Sequence, residues 1–154
     1  MIIILVQIFK ECNEDQRIKI LQELSPTLSD DCLSCFASYP VQTLIDRISN
    51  EQEFKLILYP VNDYNKLLYV ALDSIGSYTI QKIIERIPSR FREEFNFIFA
   101  SFIRFICRKK YGIIAVKLFI SENKSDAITN QIMKFIEENF MNLALDQYAN
   151  YLIQ

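Results

Sequence analysis

The 154-residue sequence contains no histidine. The usual general base and the commonest metal ligand are therefore missing, which argues against an enzyme and against a metal site. Glycine is nearly absent too, with only Gly76 and Gly112, and no phosphate-cradling loop can be built from two isolated glycines. No stretch reaches the ~18 apolar residues of a membrane span. Met1-Ile-Ile-Ile-Leu-Val6 resembles the apolar part of a signal peptide, but no basic residue precedes it, and Gln7, Lys10 and Glu11 end it early. No strand pattern of period two, no interdomain linker and no low-complexity tract is visible, and no cofactor motif is present. The four cysteines include a single Cys32-x-x-Cys35, with neither a second such pair nor a βαβ context. Buried structural thiols are the expectation, and reduced thiols point to an intracellular protein.

What the sequence does have is a large apolar fraction, 51%, ample for a continuous core. The net charge is only −2, but it is unevenly spread. Residues 95–121 hold Arg104, Arg108, Lys109, Lys110 and Lys117 and no acid, leaving a net −7 elsewhere. A local field of that kind matters more to a partner than the sum does.

The chain is organised around residues 72–82. Placed on a helix at about 100° per residue, Ser77, Tyr78, Gln81 and Glu85 share one face, with Leu72, Ile75, Thr79, Ile80 and Ile83 mostly opposite. A surface helix needs only charge to stay soluble. A hydroxyl, a ring and an amide at i, i+1 and i+4 instead suggest a reading head, with a flat ring for stacking and two hydrogen-bonding groups beside it. The trio recurs. Ser38-Tyr-Pro-Val-Gln-Thr-Leu-Ile-Asp-Arg-Ile48 echoes Ser77-Tyr-Thr-Ile-Gln-Lys-Ile-Ile-Glu-Arg-Ile87, with Ser38, Tyr39 and Gln42 in place of Ser77, Tyr78 and Gln81. Asp146-Gln-Tyr-Ala-Asn-Tyr-Leu-Ile-Gln154 supplies Asn150, Tyr151 and Gln154, and Tyr111-Gly-Ile-Ile-Ala-Val-Lys117 is a degenerate copy with Ile113, Ile114 and Lys117. Ala37, Gly76, Gly112 and Ala149 hold one point of the pattern at spacings of 39, 36 and 37 residues. A period in the range of about 20–50 residues marks a solenoid.

Turn signals divide the chain into approximate repeats 1–13 (partial), 14–49, 50–88, 89–124 and 125–154. Within them, helices are predicted near 14–24, 30–37, 38–48, 50–58, 62–73, 76–87, 89–100, 101–109, 111–120, 126–139, 140–146 and from 147 onward, with Pro60 as a break and Pro40 tolerated in a first turn. The N-terminal segment matches the second half of the repeated helix, Val6-Gln7 standing 35 residues before Val41-Gln42. Ile3 and Ile4 take the place of its polar trio. Apolar surface on Met1–Val6 and on Tyr151-Leu-Ile153 creates the expectation of further repeats or a protein partner at both ends.

The form Asp-x-x-Gly-[Ser/Asn]-Tyr-x-Ile-Gln, recurring every ~36 residues in an all-helical array, resembles the Pumilio (PUF) repeat. The resemblance covers essentially the whole chain and is most specific at 73–82 and 146–154. It implies an all-α, curved solenoid of about four three-helix repeats plus an N-terminal half-repeat. The second helix of each repeat would line the concave face and read one base of single-stranded RNA. By the same resemblance, Ser38/Gln42 and Ser77/Gln81 look like adenine readers, Asn150/Gln154 looks like a uracil reader, and Tyr39, Tyr78 and Tyr151 would stack between bases. RNA runs antiparallel to the repeats in this family, so the implied site is 5′-U-n-A-A-3′. The aliphatic pair Ile113/Ile114 cannot hydrogen-bond a base edge, so the third position should be unselective, with Lys117 on phosphate. The implied role is regulation of mRNA in the cytoplasm, through a 3′ untranslated region. Two alternatives are sequence-independent binding of ribosomal RNA, placed in the nucleolus and favoured by the basic run Arg104, Arg108, Lys109 and Lys110, and a protein–protein scaffold.

Overall fold

The computed structural model describes residues 2–154, apart from the side chains of residues 2, 3 and 5. The readings placed on Met1 and Ile3 lie outside the described residues. All regular structure among the described residues is helical. Helices α1 (Ile2–Glu11), α4 (Ser38–Arg47), α7 (Gly76–Arg86) and α9 (Gly112–Glu122), followed by the 3-10 turn Ala149–Leu152, stack side by side in sequence order. Behind them lie α2 (Glu14–Leu24), α3 (Leu28–Leu33), α5 (Glu51–Val61), α6 (Tyr64–Leu72), α8 (Ser89–Ile106) and α10 (Asp126–Ala144). The architecture is an α-solenoid, as the period requires.

The repeat length is visible as a contact distance along the chain. Arg17 pairs with Glu53 at 2.8 Å, Asn50 donates to Glu14 at 2.9 Å and Lys82 donates to Asp46 at 3.3 Å, each across 36 positions. Arg90 meets Glu51 across 39 positions and Arg108 meets Asp146 across 38. Each unit is thus fastened mainly to its neighbour, as expected for a quasi-one-dimensional array. The Arg17–Glu53 pair is the most enclosed of these fasteners. Glu53 is fully buried. Its Oε1 accepts from Arg17 Nε at 2.8 Å and its Oε2 from the Ser49 amide at 2.9 Å.

A single apolar core runs the length of the stack. In its C-terminal half, Phe99 lies 5.7 Å from Phe95 and 4.6 Å from Phe119 between ring centroids, joining α8 to α9. The two glycines serve close approach, since neither has a positive φ. A Cβ on Gly76 would sit 2.6 Å from the Val70 carbonyl oxygen, and one on Gly112 would sit 2.3 Å from that of Ile106. Here the first residue of the front helix presses on the backbone of the helix behind.

Three expectations need correction. Pro60 does not break its helix but lies inside the last turn of α5, where its missing N–H costs one bond, and the chain turns at Asn62 and Asp63 instead. Residues 89–109 and 126–146 do not each divide into two helices. Residues 98–101, the counterpart of that turn, read Ile-Phe-Ala-Ser, and Ser101 bonds back to the Ile98 carbonyl at 2.6 Å rather than capping a new helix. With no proline, glycine or cap to stop it, α8 continues, and so does α10. Finally, not all the thiols are buried. Cys32 and Cys107 are enclosed, and burial pushes them up to about 12 and about 11, whereas Cys35 is exposed in the turn after α3 and Cys12 is half-buried. A thiol held that high is almost wholly protonated at neutral pH, so Cys32 is a packing group.

Candidate nucleic-acid interface

The entry into α4, α7 and the final 3-10 turn is set by a side chain four residues before the polar trio; α9, with Lys109 at that point, has only a backbone bond from the Ile113 amide to the Lys109 carbonyl. Asp73 Oδ1 accepts from the amides of Ile75 and Gly76, both at 2.8 Å. Asp146 Oδ1 accepts from Tyr148 and Ala149, both at 2.9 Å, and Ser34 Oγ accepts from Phe36 and Ala37 at 3.3 Å. These short-range turns hold the orphan amides at the helix start. The amides beside it keep the Asp146 carboxyl below its ordinary value, Arg108 adding to the effect. The aspartate of the repeated motif is therefore an aiming device. It fixes the phase at which the helix begins, and so the direction of the next two side chains. Reading the motif for its polar trio alone misses this role, although an aspartate three positions before a glycine is a recognisable turn signal.

With that phase fixed, the second residue of each trio points to solvent. Tyr39 is 73% exposed, Tyr78 53%, Ile114 48% and Tyr151 48%. The stacking order of the front helices brings these four side chains onto one face. The amides follow at the same phase, Gln42 and Gln81 half-buried and Gln154 exposed. The Gln81 Nε2 donates to the Ser77 carbonyl at 3.3 Å, and its side-chain oxygen accepts no bond among the described residues. Lys117 stands exposed, its Nζ 5.9 Å from the centroid of the Tyr151 ring.

The first residue of each trio departs from the sequence reading. Ser77 and Ser38 do not share the open polar face. They are 1% and 5% exposed, on two helices that pack side by side. This enclosed position takes a small hydroxyl or, at Ile113, an apolar side chain that is also buried. Asn150 is half-buried, with its Nδ2 turned back onto the Asp146 carbonyl at 2.8 Å. It belongs to a short 3-10 turn, not to an α-helix begun at 147. The face thus presents rings and amide ends above a floor of small polar atoms.

The structure also divides the basic run. Lys117 lies beside the ring row. Lys110 caps the neighbouring Tyr111 ring at 5.4 Å. Arg104, Arg108 and Lys109 instead line a separate cleft with residues of α6 and α10 and none of the front helices. Arg108 there is joined to Asp146 at 3.4 Å.

Parallel helices in register, each offering one outward side chain from the same position, define an α-solenoid repeat protein with a linear reading face. The model of the Pumilio-family RNA binding repeat matches residues 7–25, 66–94 and 139–154. The chain is 25% identical to Fem-3 mRNA-binding factor 1 of Caenorhabditis elegans over 164 aligned positions, covering 95% of this chain and 26% of that one. Fem-3 mRNA-binding factor 2 of the same organism is also 25% identical, with 88% and 24% covered. The chain therefore spans about a quarter of the length of these curated relatives. Among solved structures, the RNA-binding domain of yeast Puf5p bound to MFA2 RNA superposes with a TM-score of 0.83 at 20% identity, covering 96% of this chain and 41% of that one. A Puf4 mutant bound to a Cox17 RNA 3′ UTR recognition sequence gives 0.85 at 21%, covering 99% and 50%. Three segments of the chain thus match the Pumilio-family repeat, and its fold is the α-solenoid of those solved structures.

Proposed function

We propose that this chain binds single-stranded RNA selectively along the face of α4, α7, α9 and the final turn, and acts without catalysis in the post-transcriptional regulation of mRNA in the cytoplasm. The observation that carries the reading is the exposure of Tyr39, Tyr78 and Tyr151 in one register, each with an amide three positions on. An exposed ring is a platform for a base, and the amide beside it can reach the base edge. The kinship to mRNA-binding factors supports the same reading. Ser38/Gln42 and Ser77/Gln81 read adenine, Asn150/Gln154 read uracil, and Ile113/Ile114 leave their position unselective. The buried serines are reached from above, at the floor between two bound bases. Lys117, at the edge of the Tyr151 ring, contacts phosphate, and Arg104, Arg108, Lys109 and Lys110 strengthen the positive field on that flank.

Selection from a random RNA pool tests this. Enrichment of U-n-A-A is expected, with no base preferred at the second position. Recovery of unrelated sequences in proportion to their length would refute selective reading and leave a sequence-independent RNA binder.

A further inference from the structure

We infer that the cleft between α6, α8 and α10 is a docking site for a peptide carrying a bulky apolar side chain flanked by acidic residues. The inference is independent of RNA reading, because no front-helix residue lines the cleft. The cleft holds about 710 Å³, within the range of about 300–1,000 Å³ typical of ligand-sized clefts. Leu68 and Leu72 of α6, Phe105 of α8 and Phe135 of α10 form its floor. Phe105 is 47% exposed, with the Arg104 guanidinium 4.7 Å from its centroid. Exposed apolar surface of this kind, concave and framed by charge, marks an interface.

Charge selects the occupant. Arg104 and Lys109 stand on the rim and make no ion pair among the described residues. Arg108 is already neutralised by Asp146, and Glu138 is the single carboxylate in the lining. One wall of the cleft, Arg104, Phe105, Arg108 and Lys109, comes from the segment that carries five basic residues and no acid. Its rim therefore favours carboxylates, while its floor favours an aliphatic or aromatic anchor. Nucleic acid fits less well. The exposed face of Phe105 is already taken by the Arg104 guanidinium at 4.7 Å, and Leu68 and Leu72 beside it offer neither a stacking plane nor a hydrogen-bonding edge for a base. Aromatic and arginine side chains around a desolvated pocket are the usual anchors of protein–protein contacts.

The test is fluorescence anisotropy of the 154-residue chain with a labelled peptide having a central Leu-x-x-Phe between Asp and Glu residues. Saturable binding is expected, weakened by about tenfold or more when the flanks are changed to lysine or the chain carries Phe105→Asp. Phe105 is half-exposed, and thermal unfolding checks that the variant is folded. If it is not, Lys109→Glu replaces it, with the same loss expected. A single-stranded U-n-A-A oligonucleotide added in excess should leave the peptide bound. Failure of the acidic peptide to saturate, equal binding of the lysine-flanked peptide, or displacement of the peptide by the RNA would each overturn the inference, the last by assigning the cleft to nucleic acid.

Discussion

Removing the Glu53 carboxylate strips the most buried inter-repeat fastener of its anion. In the native chain Glu53 Oε1 receives Arg17 Nε and Nη2, both at 2.8 Å, and Oε2 receives the Ser49 amide. Arg17 is itself mostly enclosed and donates also to the Cys12 carbonyl at 3.0 Å and to Ser49 Oγ at 2.7 Å, so it cannot swing out to water without breaking those bonds. Glu53→Ala leaves a guanidinium without its counter-charge and an amide without its acceptor. Breaking one side of a buried pair costs about 3–5 kcal/mol, whereas replacing both partners by apolar groups is often close to neutral. Against a total stability of roughly 5–15 kcal/mol, the single variant is severe. For a chain of this length it lowers Tm by roughly 2–4 °C per kcal/mol. Urea unfolding at neutral pH of wild type, Glu53→Ala, Arg17→Met and the doubly substituted Arg17→Met/Glu53→Leu measures this. Both single changes should be costly, and the double should recover most of the loss. Strict additivity, or a Glu53→Ala loss under about 1 kcal/mol, would show that the pair does not hold adjacent repeats together.

Four other outcomes follow from the geometry. Tyr78→Ala should cost roughly 1–3 kcal/mol of RNA affinity, the range for one base stack, while thermal unfolding moves little because the ring is exposed; equal losses in both would make Tyr78 a packing residue. Lys117→Ala should weaken every RNA about equally and lower the log–log salt slope by about 1, with base preference unchanged in a repeated selection. Glycine to alanine in a helix ordinarily stabilises by about 0.4–1 kcal/mol, but Gly112→Ala drives a Cβ against the Ile106 carbonyl and should instead cost about 1–3 kcal/mol in urea unfolding. The Asp146 carboxyl is held below its ordinary value of 3.8 in the fold, so the stability it adds is present above that value and is lost as pH falls through the lower, folded-state one; Asp146→Asn should lose less stability than wild type on acidification, and identical pH profiles would contradict the role of the turn.

The solenoid and its exposed ring row were legible because both rest on phase. A repeat near 36 residues and a helical turn together decide that Tyr39, Tyr78 and Tyr151 share a face, whatever the neighbours are. The burial of Ser38 and Ser77 was not legible, because it depends on how closely α4, α7 and α9 approach, a distance no single repeat encodes. The fusion of 89–106 into one helix was readable in principle. Ile98-Phe-Ala-Ser101 lacks the breaker that Asn62-Asp63 supplies, but the analogy between copies overrode it. The cleft around Phe105 left no trace in sequence beyond its charge. Its walls come from three helices that meet only in space.

The unbroken α8 and α10 have a mechanical consequence. In the N-terminal half the rear layer is jointed, with turns at Ser25–Thr27 and at Asn62–Asp63 separating α2 from α3 and α5 from α6. In the C-terminal half the rear layer consists of two rods of 18 and 19 residues without a joint. A cable pulled across the front face would bend the jointed half to its own curvature, while the rods keep their pitch. The spacing between Ile114 and Tyr151 is therefore backed by unjointed rods, and that between Tyr39 and Tyr78 by jointed pairs, where a change of pitch would have turns to take it up.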